Sequence, residues 1–340
     1  SSGLFYTPGR FAPLEEVIAL ARVAGEYGGA YQSHIRDEAD YGIGVVAAVD
    51  EVSRVAREAG VPGVVTHIKV LGPHVWGYSA ALVHRIDAAR AAGVEVYADQ
   101  YPYEASATGL EPALVPAWAR EGGDDALAAR LADPDERARI RSDMLENLDR
   151  RGGADRIQFR RFEPDPAVEG RTLADVAADR GVHAIDAALA MIEAGGASIV
   201  SFNMHEDDIR RLMRQPWTMT ASDGDLVPMG VGVPHPRSYG TFPRKIREYV
   251  VDEGVVGLAH AIRSMTWLPA DVYRLRERGM IREGAIADIV VFDLTSLDDP
   301  ATFEAPHQLA QGVRWVLVNG EPALAEGRPT GGRHGAVLRR

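Results

Sequence analysis

Across its first hundred residues the chain alternates short apolar runs with amphipathic helical stretches, and a glycine closes each helical stretch. Pro13 to Ala24 carries apolar residues at helical spacing, with a proline and two acids in the first turn, and stops before Gly28. Gly42 to Ala59 ends at Gly60, and Ser79 to Ala92 ends at Gly93. Between and after these helices lie strand-like runs that reach Ile35, Ile68 and Asp99. The period is about 30 residues, the size of one βαβ unit, so the pattern predicts parallel strands with helices packed on them. At 340 residues the chain has room for two domains or for one barrel with an appendage.

The rhythm breaks at residue 104. Residues 104–196 crowd acids and bases together, as in Asp124-Asp125 and Asp133 to Arg141, and read as a mainly helical insertion with solvated charged faces. Strand character returns at Ser198 to Phe202 and Thr218 to Ser222, and 258–265 and 269–279 look helical. From Gly284 the pattern is β, with Asn319-Gly320 as a tight hairpin signal. The expected organisation is barrel strands and helices over 1–103, the insertion over 104–196, the remainder of the barrel over 197–283, and a small β-domain with a tail over 284–340.

Composition narrows the partners. Lys and Arg number 37 against 49 Asp and Glu, a net charge of −12, which offers no positive field for nucleic acid or an anionic membrane surface. No run approaches the ~18 apolar residues of a membrane span. Cysteine is absent, so disulfides and thiolate–zinc sites are excluded for these residues. The chain opens Ser1-Ser2-Gly3-Leu4-Phe5-Tyr6 without a leader pattern, and a cytoplasmic location is the default expectation.

His34 and His67 each fall at the C-terminal end of an expected parallel strand, 33 residues apart and so on adjacent strands. In a β/α barrel the active site forms at that end. Two imidazoles there suit a shared zinc ion; the alternative is one strand-capping and one loop histidine. His34-Ile35-Arg36 and His67-Ile68-Lys69 share one form, and a period of two aims Arg36 and Lys69 into the same cavity. Two cations beside a metal suggest a carboxylate substrate. Alternatively each cation pairs with a nearby acid such as Asp37 or Glu38.

Asp223 follows another strand and is placed either as a proton shuttle or as a turn residue before Gly224. Tyr101 and Ser106, in the stretch after the strand at 94–99, offer hydroxyl donors, or belong to a proline-restrained loop. The loop His235-Pro236-Arg237 through Arg244 is a candidate wall or lid.

Taken together, Ser2-Gly3-Leu4-Phe5-Tyr6-Thr7-Pro8-Gly9, Ser33-His34-Ile35-Arg36-Asp37-Glu38, Thr66-His67-Ile68-Lys69, Tyr101-Pro102-Tyr103, Ser222-Asp223-Gly224, and His235-Pro236-Arg237 with Tyr239-Gly240-Thr241-Phe242 resemble the D-aminoacylases, N-acyl-D-amino-acid deacylases of the amidohydrolase superfamily. Gly279 to Phe292 is similar to that superfamily's return into its small β-domain. The resemblance implies a (β/α)8 TIM-type barrel of the metal-dependent hydrolase kind, with an insertion and a C-terminal β-domain. It implies one or two zinc ions at His34 and His67 and Asp223 as catalytic acid and base. Arg36, Lys69, Tyr101 and Ser106 would hold the carboxylate of an N-acyl amino acid, although Ala107 stands where a second serine often does. The family also carries a His-x-His pair and a cysteine ligand upstream, and this chain shows neither, so the expectation is a barrel incomplete at its N-terminus. A hydrolase of cyclic amides, of the dihydropyrimidinase or dihydroorotase kind, and a catalytically inactive truncated homologue are the competing readings.

Overall fold

The computed structural model describes residues 1–338. The chain starts with β1 (Ser2–Gly3) and α1 (Leu14–Glu26), then β2 (Tyr31–His34), α2 (Val45–Ala59), β3 (Gly63–Val65), α3 (Ser79–Ala91) and β4 (Val96–Gln100). The expected alternation is present, and α2 shows most clearly the apolar face that packs such a helix on the sheet. In α2 that face is Val45, Ala48, Val49, Val52, Val55 and Ala56, all buried, at the i, i+3, i+4, i+7 spacing of a core-facing stripe. Gly60 ends α2 in the left-handed region (φ 68°) and donates its N–H to Ala56 O, a conformation a side chain would disfavour.

After β4 the chain leaves the sheet. β5 (Ser106–Gly109), α4 (Leu110–Leu114), α5 (Asp124–Ala132), α6 (Pro134–Arg150), β6 (Ile157–Arg161), α7 (Leu173–Arg180), α8 (Ala184–Glu193) and β7 (Ser198–Ser201) form a separate body. Its core is its own, built on residues such as Ile140, Met144, Phe159, Leu173, Ile185 and Ile199. This corrects two expectations. The insertion carries an antiparallel sheet in the order β5-β7-β6 as well as helices. The strand at Ser198 belongs to that sheet, with Ser201 opposite both Ser106 and Ile157, and not to the barrel. Apolar periodicity marks a strand but not its partner, and an antiparallel return within the insertion was equally compatible with it.

α9 (Glu206–Met213) brings the chain back to β8 (Thr218–Thr220), which pairs in parallel with β4. One open parallel sheet results, in the order β1-β2-β3-β4-β8. It holds five of the eight strands a closed barrel needs. Register runs Gly3 to His34, Ser33 to Val65, Val65 to Ala98 and Gln100 to Thr220, so the C-terminal strand ends share one edge. α10 (Arg237–Ile246), α11 (Leu258–Met265) and α12 (Trp267–Val272) follow.

β9 (Ile289–Phe292), β10 (Val313–Val318), β11 (Glu321–Ala325) and β12 (Arg328–Pro329) make a small antiparallel sheet in the order β12-β11-β10-β9. Asn319 and Gly320 form its two-residue turn, both with positive φ, as the Asn-Gly pair predicts. Among the described residues no helix is long and apolar enough to cross a membrane.

Candidate metal and catalytic site

His34 is the last residue of β2, and His67 lies two residues beyond β3. Their ring centroids are 4.4 Å apart, nearly perpendicular. His67 reaches this position through an unusual backbone: its φ is 41°, in the left-handed region, and its N–H donates to buried Asp99 Oδ1 at 2.6 Å. Burial pushes the Asp99 carboxyl up from the usual range, partly offset by that N–H. Strained φ at a non-glycine residue persists only where the surroundings fix it, and the other site residue in this region is Asp223, at 49°.

The loop after β2 delivers a third group. Asp37 is buried and accepts N–H groups from Ala39, Gly42 and Gly44 at 2.9, 2.7 and 3.0 Å, which coils the chain and sets Glu38 over the histidines. Glu38 Oε1 is 3.1 Å from His67 Nδ1 and accepts from Lys69 Nζ at 2.6 Å, and its Oε2 is 3.5 Å from His34 Nε2. Lys69 Nζ is also 2.5 Å from His67 Nδ1 and donates to His67 O at 2.8 Å. Burial would raise the Glu38 carboxyl, but Lys69 and the two histidines outweigh it and hold it well below the ordinary value. Burial drives His34 down to about 3; Lys69 and His67 add to the fall and Glu38 opposes it. His34 is therefore neutral at pH 7, the form that ligates a metal.

One donor atom from each of His34, Glu38 and His67 lies within 4.8 Å of the others. His34 Nε2 is buried without a hydrogen-bond partner. A buried orphan nitrogen beside a second imidazole and a carboxylate fits a zinc-type cation, the donor set such ions prefer.

These groups line a cavity of about 260 Å³ together with Phe5, Tyr6, Tyr101, Ser106, Arg151, Asp223 and Arg237. Asp223 lies three residues past β8, and its Oδ2 pairs with Arg237 Nη1 at 2.7 Å. The Arg237 guanidinium also stacks 4.5 Å from the Tyr101 ring centroid. Buried His235 pins this segment: Nδ1 accepts the Arg237 N–H at 3.1 Å, so Nε2 carries the proton and donates to Ala105 O at 2.9 Å. Arg237 alone of this stretch lines the cavity, and from Arg237 onward the segment expected as a loop is the helix α10.

Not every sequence-derived candidate arrives. Lys69, Tyr101, Ser106 and Asp223 share the cavity with both histidines. Arg36 does not: it ion-pairs with Glu51 at 3.0 Å and donates to Arg10 O at 2.6 Å. β2 ends at His34, so the alternation that would aim Arg36 inward has stopped before it. Both cations have a carboxylate, Glu51 for Arg36 and Glu38 for Lys69, which is the alternative noted from sequence with a different acid for Arg36. Arg36→Ala should leave KM for an anionic substrate within about twofold and lower stability by about 1–3 kcal/mol; a tenfold rise in KM at unchanged stability would contradict this placement.

Glu38, Arg151 and Arg237 are absent from the sequence-derived site residues. Glu38 has a legible signal, its place four residues after His34, whereas nothing in the sequence separates Arg151 from the exposed arginines around it.

The sequence profile of the Amidohydrolase family matches residues 7–323, and the chain belongs to that family. Its relatives are specific. It is 38% identical over 340 residues to N-acyl-D-glutamate deacylase of Alcaligenes xylosoxydans xylosoxydans, covering 100% of this chain and 60% of that protein. The crystal structure of N-acyl-D-glutamate deacylase from Bordetella bronchiseptica, complexed with zinc and a phosphonate inhibitor that mimics the tetrahedral intermediate, superposes with a TM-score of 0.77 at 36% identity, over 96% of this chain and 60% of that one. A D-aminoacylase crystal structure gives 0.80 at 33% identity, over 99% of this chain and 61% of that one. The chain spans about three fifths of the length of these relatives.

Proposed function

We propose that this protein hydrolyses the amide bond of N-acyl-D-amino acids, releasing a carboxylate and a free D-amino acid. The observation that carries the reading is the meeting, in one cavity, of two imidazoles from adjacent strand ends with the Asp223 carboxylate that follows β8. His34 and His67 would hold zinc, with Glu38 orienting His67 through Nδ1, as carboxylates do behind ligating histidines. When bound, zinc supplies Lewis acidity toward the amide carbonyl and acidifies water.

The chain's own groups do the rest. Asp223 has one oxygen committed to Arg237, and its Oδ1 takes a proton from the attacking water and returns it to the departing nitrogen. The Tyr101 hydroxyl receives the substrate α-carboxylate with Ser106 beside it, and the Lys69 ammonium joins them by turning the N–H now held against His67 Nδ1 while keeping Glu38 and His67 O. Fixing the carboxylate and the amide leaves the cavity wall to tell the side chain from the hydrogen at the α-carbon, the third contact that selects one hand.

Turnover of N-acetyl-D-amino acids, their L-enantiomers and dihydrouracil by the zinc-loaded protein tests the reading. Hydrolysis of the D-series alone is expected; ring opening of dihydrouracil in preference to it would overturn the proposal. His34→Asn and His67→Asn should each weaken zinc affinity by more than the 10–100-fold that loss of a partner behind a ligand costs, read by elemental analysis after dialysis against a graded zinc buffer.

A further inference from the structure

Three cations line the cavity, and two of them face a carboxylate: Lys69 faces Glu38, and Arg237 faces Asp223. Arg151 has no carboxylate oxygen within 4.0 Å among the described residues, although it is only 1% exposed. Its Nε donates to Ala113 O at 3.1 Å, and its Nη1 lies 3.2 Å from the Asn203 amide oxygen. Its Nη2 has no acceptor in the protein among the described residues. A guanidinium does not shed its proton, and a buried charge is costly unless an anion meets it.

Its placement is built into the fold. Arg151 caps the C-terminus of α6. The carbonyl of the preceding residue, Arg150, presses on Gly72, whose φ is 91° and where a Cβ would come within 1.8 Å of Arg150 O. Gly72 lies on the segment that follows His67 and Lys69, so the insertion is seated against the metal-site loop. The Asn203 amide nitrogen, 2.9 Å from Ser201 O and 3.0 Å from Ser106 Oγ, turns its oxygen toward Arg151 and fixes the plane of the fork.

We propose that Arg151 is a specificity-determining residue that receives a second substrate carboxylate, so that the site selects N-acyl derivatives of acidic D-amino acids. This rests on the deacylase reading above. There the α-carboxylate is met by Lys69 and Tyr101, and the remaining anion on such a substrate is its side chain. A planar guanidinium with free hydrogens binds that group bidentately.

The test compares kcat/KM for N-acetyl-D-glutamate with that for N-acetyl-D-glutamine, its neutral isostere, in the zinc-loaded wild type, Arg151→Met and Arg151→Lys. The wild type should prefer glutamate by about 100-fold. Arg151→Met should bring that ratio close to one through loss of the glutamate rate, with glutamine turnover retained, and Arg151→Lys should fall between. Equal wild-type rates overturn the assignment without any variant. So does a parallel fall of both substrates in Arg151→Met, which would mark an α-carboxylate or purely structural role. A wild type that hydrolyses no N-acyl-D-amino acid at all instead overturns the deacylase reading beneath it.

Discussion

Asp223→Asn lowers kcat for N-acetyl-D-amino acids by about 1000-fold while zinc content and thermal stability stay near wild type. The size follows from the chemistry: a positioned general base is worth about 10²–10⁴-fold, and an amide of the same shape cannot take the proton. The substitution is also gentle on the backbone. Asp223 sits at φ 49°, and asparagine is among the residues that adopt this region most readily. Its amide stays beside the Arg237 guanidinium, as the carboxylate does. The lost charge pairing is with a carboxylate about one third exposed, so its contribution to stability is screened and small. Asp223→Ala would confuse the result by adding left-handed strain of about 1–2 kcal/mol. Steady-state kinetics with metal analysis on the same preparation decides the matter; a kcat within tenfold of wild type, with zinc bound, removes Asp223 from the acid–base role.

How far this site is legible in the sequence depends on which rule reads it. The repeat of strand, helix and glycine stop is a local pattern, and parallel strands then bring their C-terminal ends to one edge without further information. That places His34, His67 and Asp223 together. The period-two rule is weaker. It holds only while the strand lasts, and it fails at Arg36 because Asp37 gathers four backbone N–H groups and coils the chain immediately after β2. Lys69 reaches the cavity although β3 ends at Val65, because His67 turns the backbone through a left-handed conformation. There the inward aim is right for a reason the alternation does not contain.

Arg151 marks the limit. Arg150 beside it is partly exposed and reaches toward Asp40 and Glu146, and only the packing of α6 on Gly72 separates their fates. The strand at Ser198 is the same kind of case. A strand's existence is written in its own residues, but its partner is chosen by the whole insertion. Long-range contacts of this sort leave no local mark.

Lys245→Met raises stability most at pH 7 and below, and the gain shrinks as the pH approaches 10. Lys245, on α10, is 2% exposed and donates to Thr220 Oγ1 at 2.7 Å and Ser264 Oγ at 2.8 Å. No carboxylate lies within 4.0 Å of it among the described residues. Burial alone pushes its pKa from 10.5 down to about 7. Between those values the unfolded chain holds a proton that the folded protein has released, so stability rises with pH across that window. Below pH 7 both states are protonated and the full penalty is present, roughly 4–5 kcal/mol by linkage. Methionine removes the penalty and also two hydrogen bonds worth about 1 kcal/mol each, while Thr220 and Ser264 remain paired at 2.9 Å. The expected net gain is about 2–3 kcal/mol at pH 6.5 and close to zero or negative at pH 10. Urea unfolding at the two pH values reads it directly, and an identical difference at both would mean that Lys245 does not titrate between them. The same lysine ties α10, which begins with Arg237, to β8, which leads to Asp223. Losing that tie should lower kcat several-fold even as the fold gains stability, the exchange expected where a buried charge holds two halves of a catalytic pair in register.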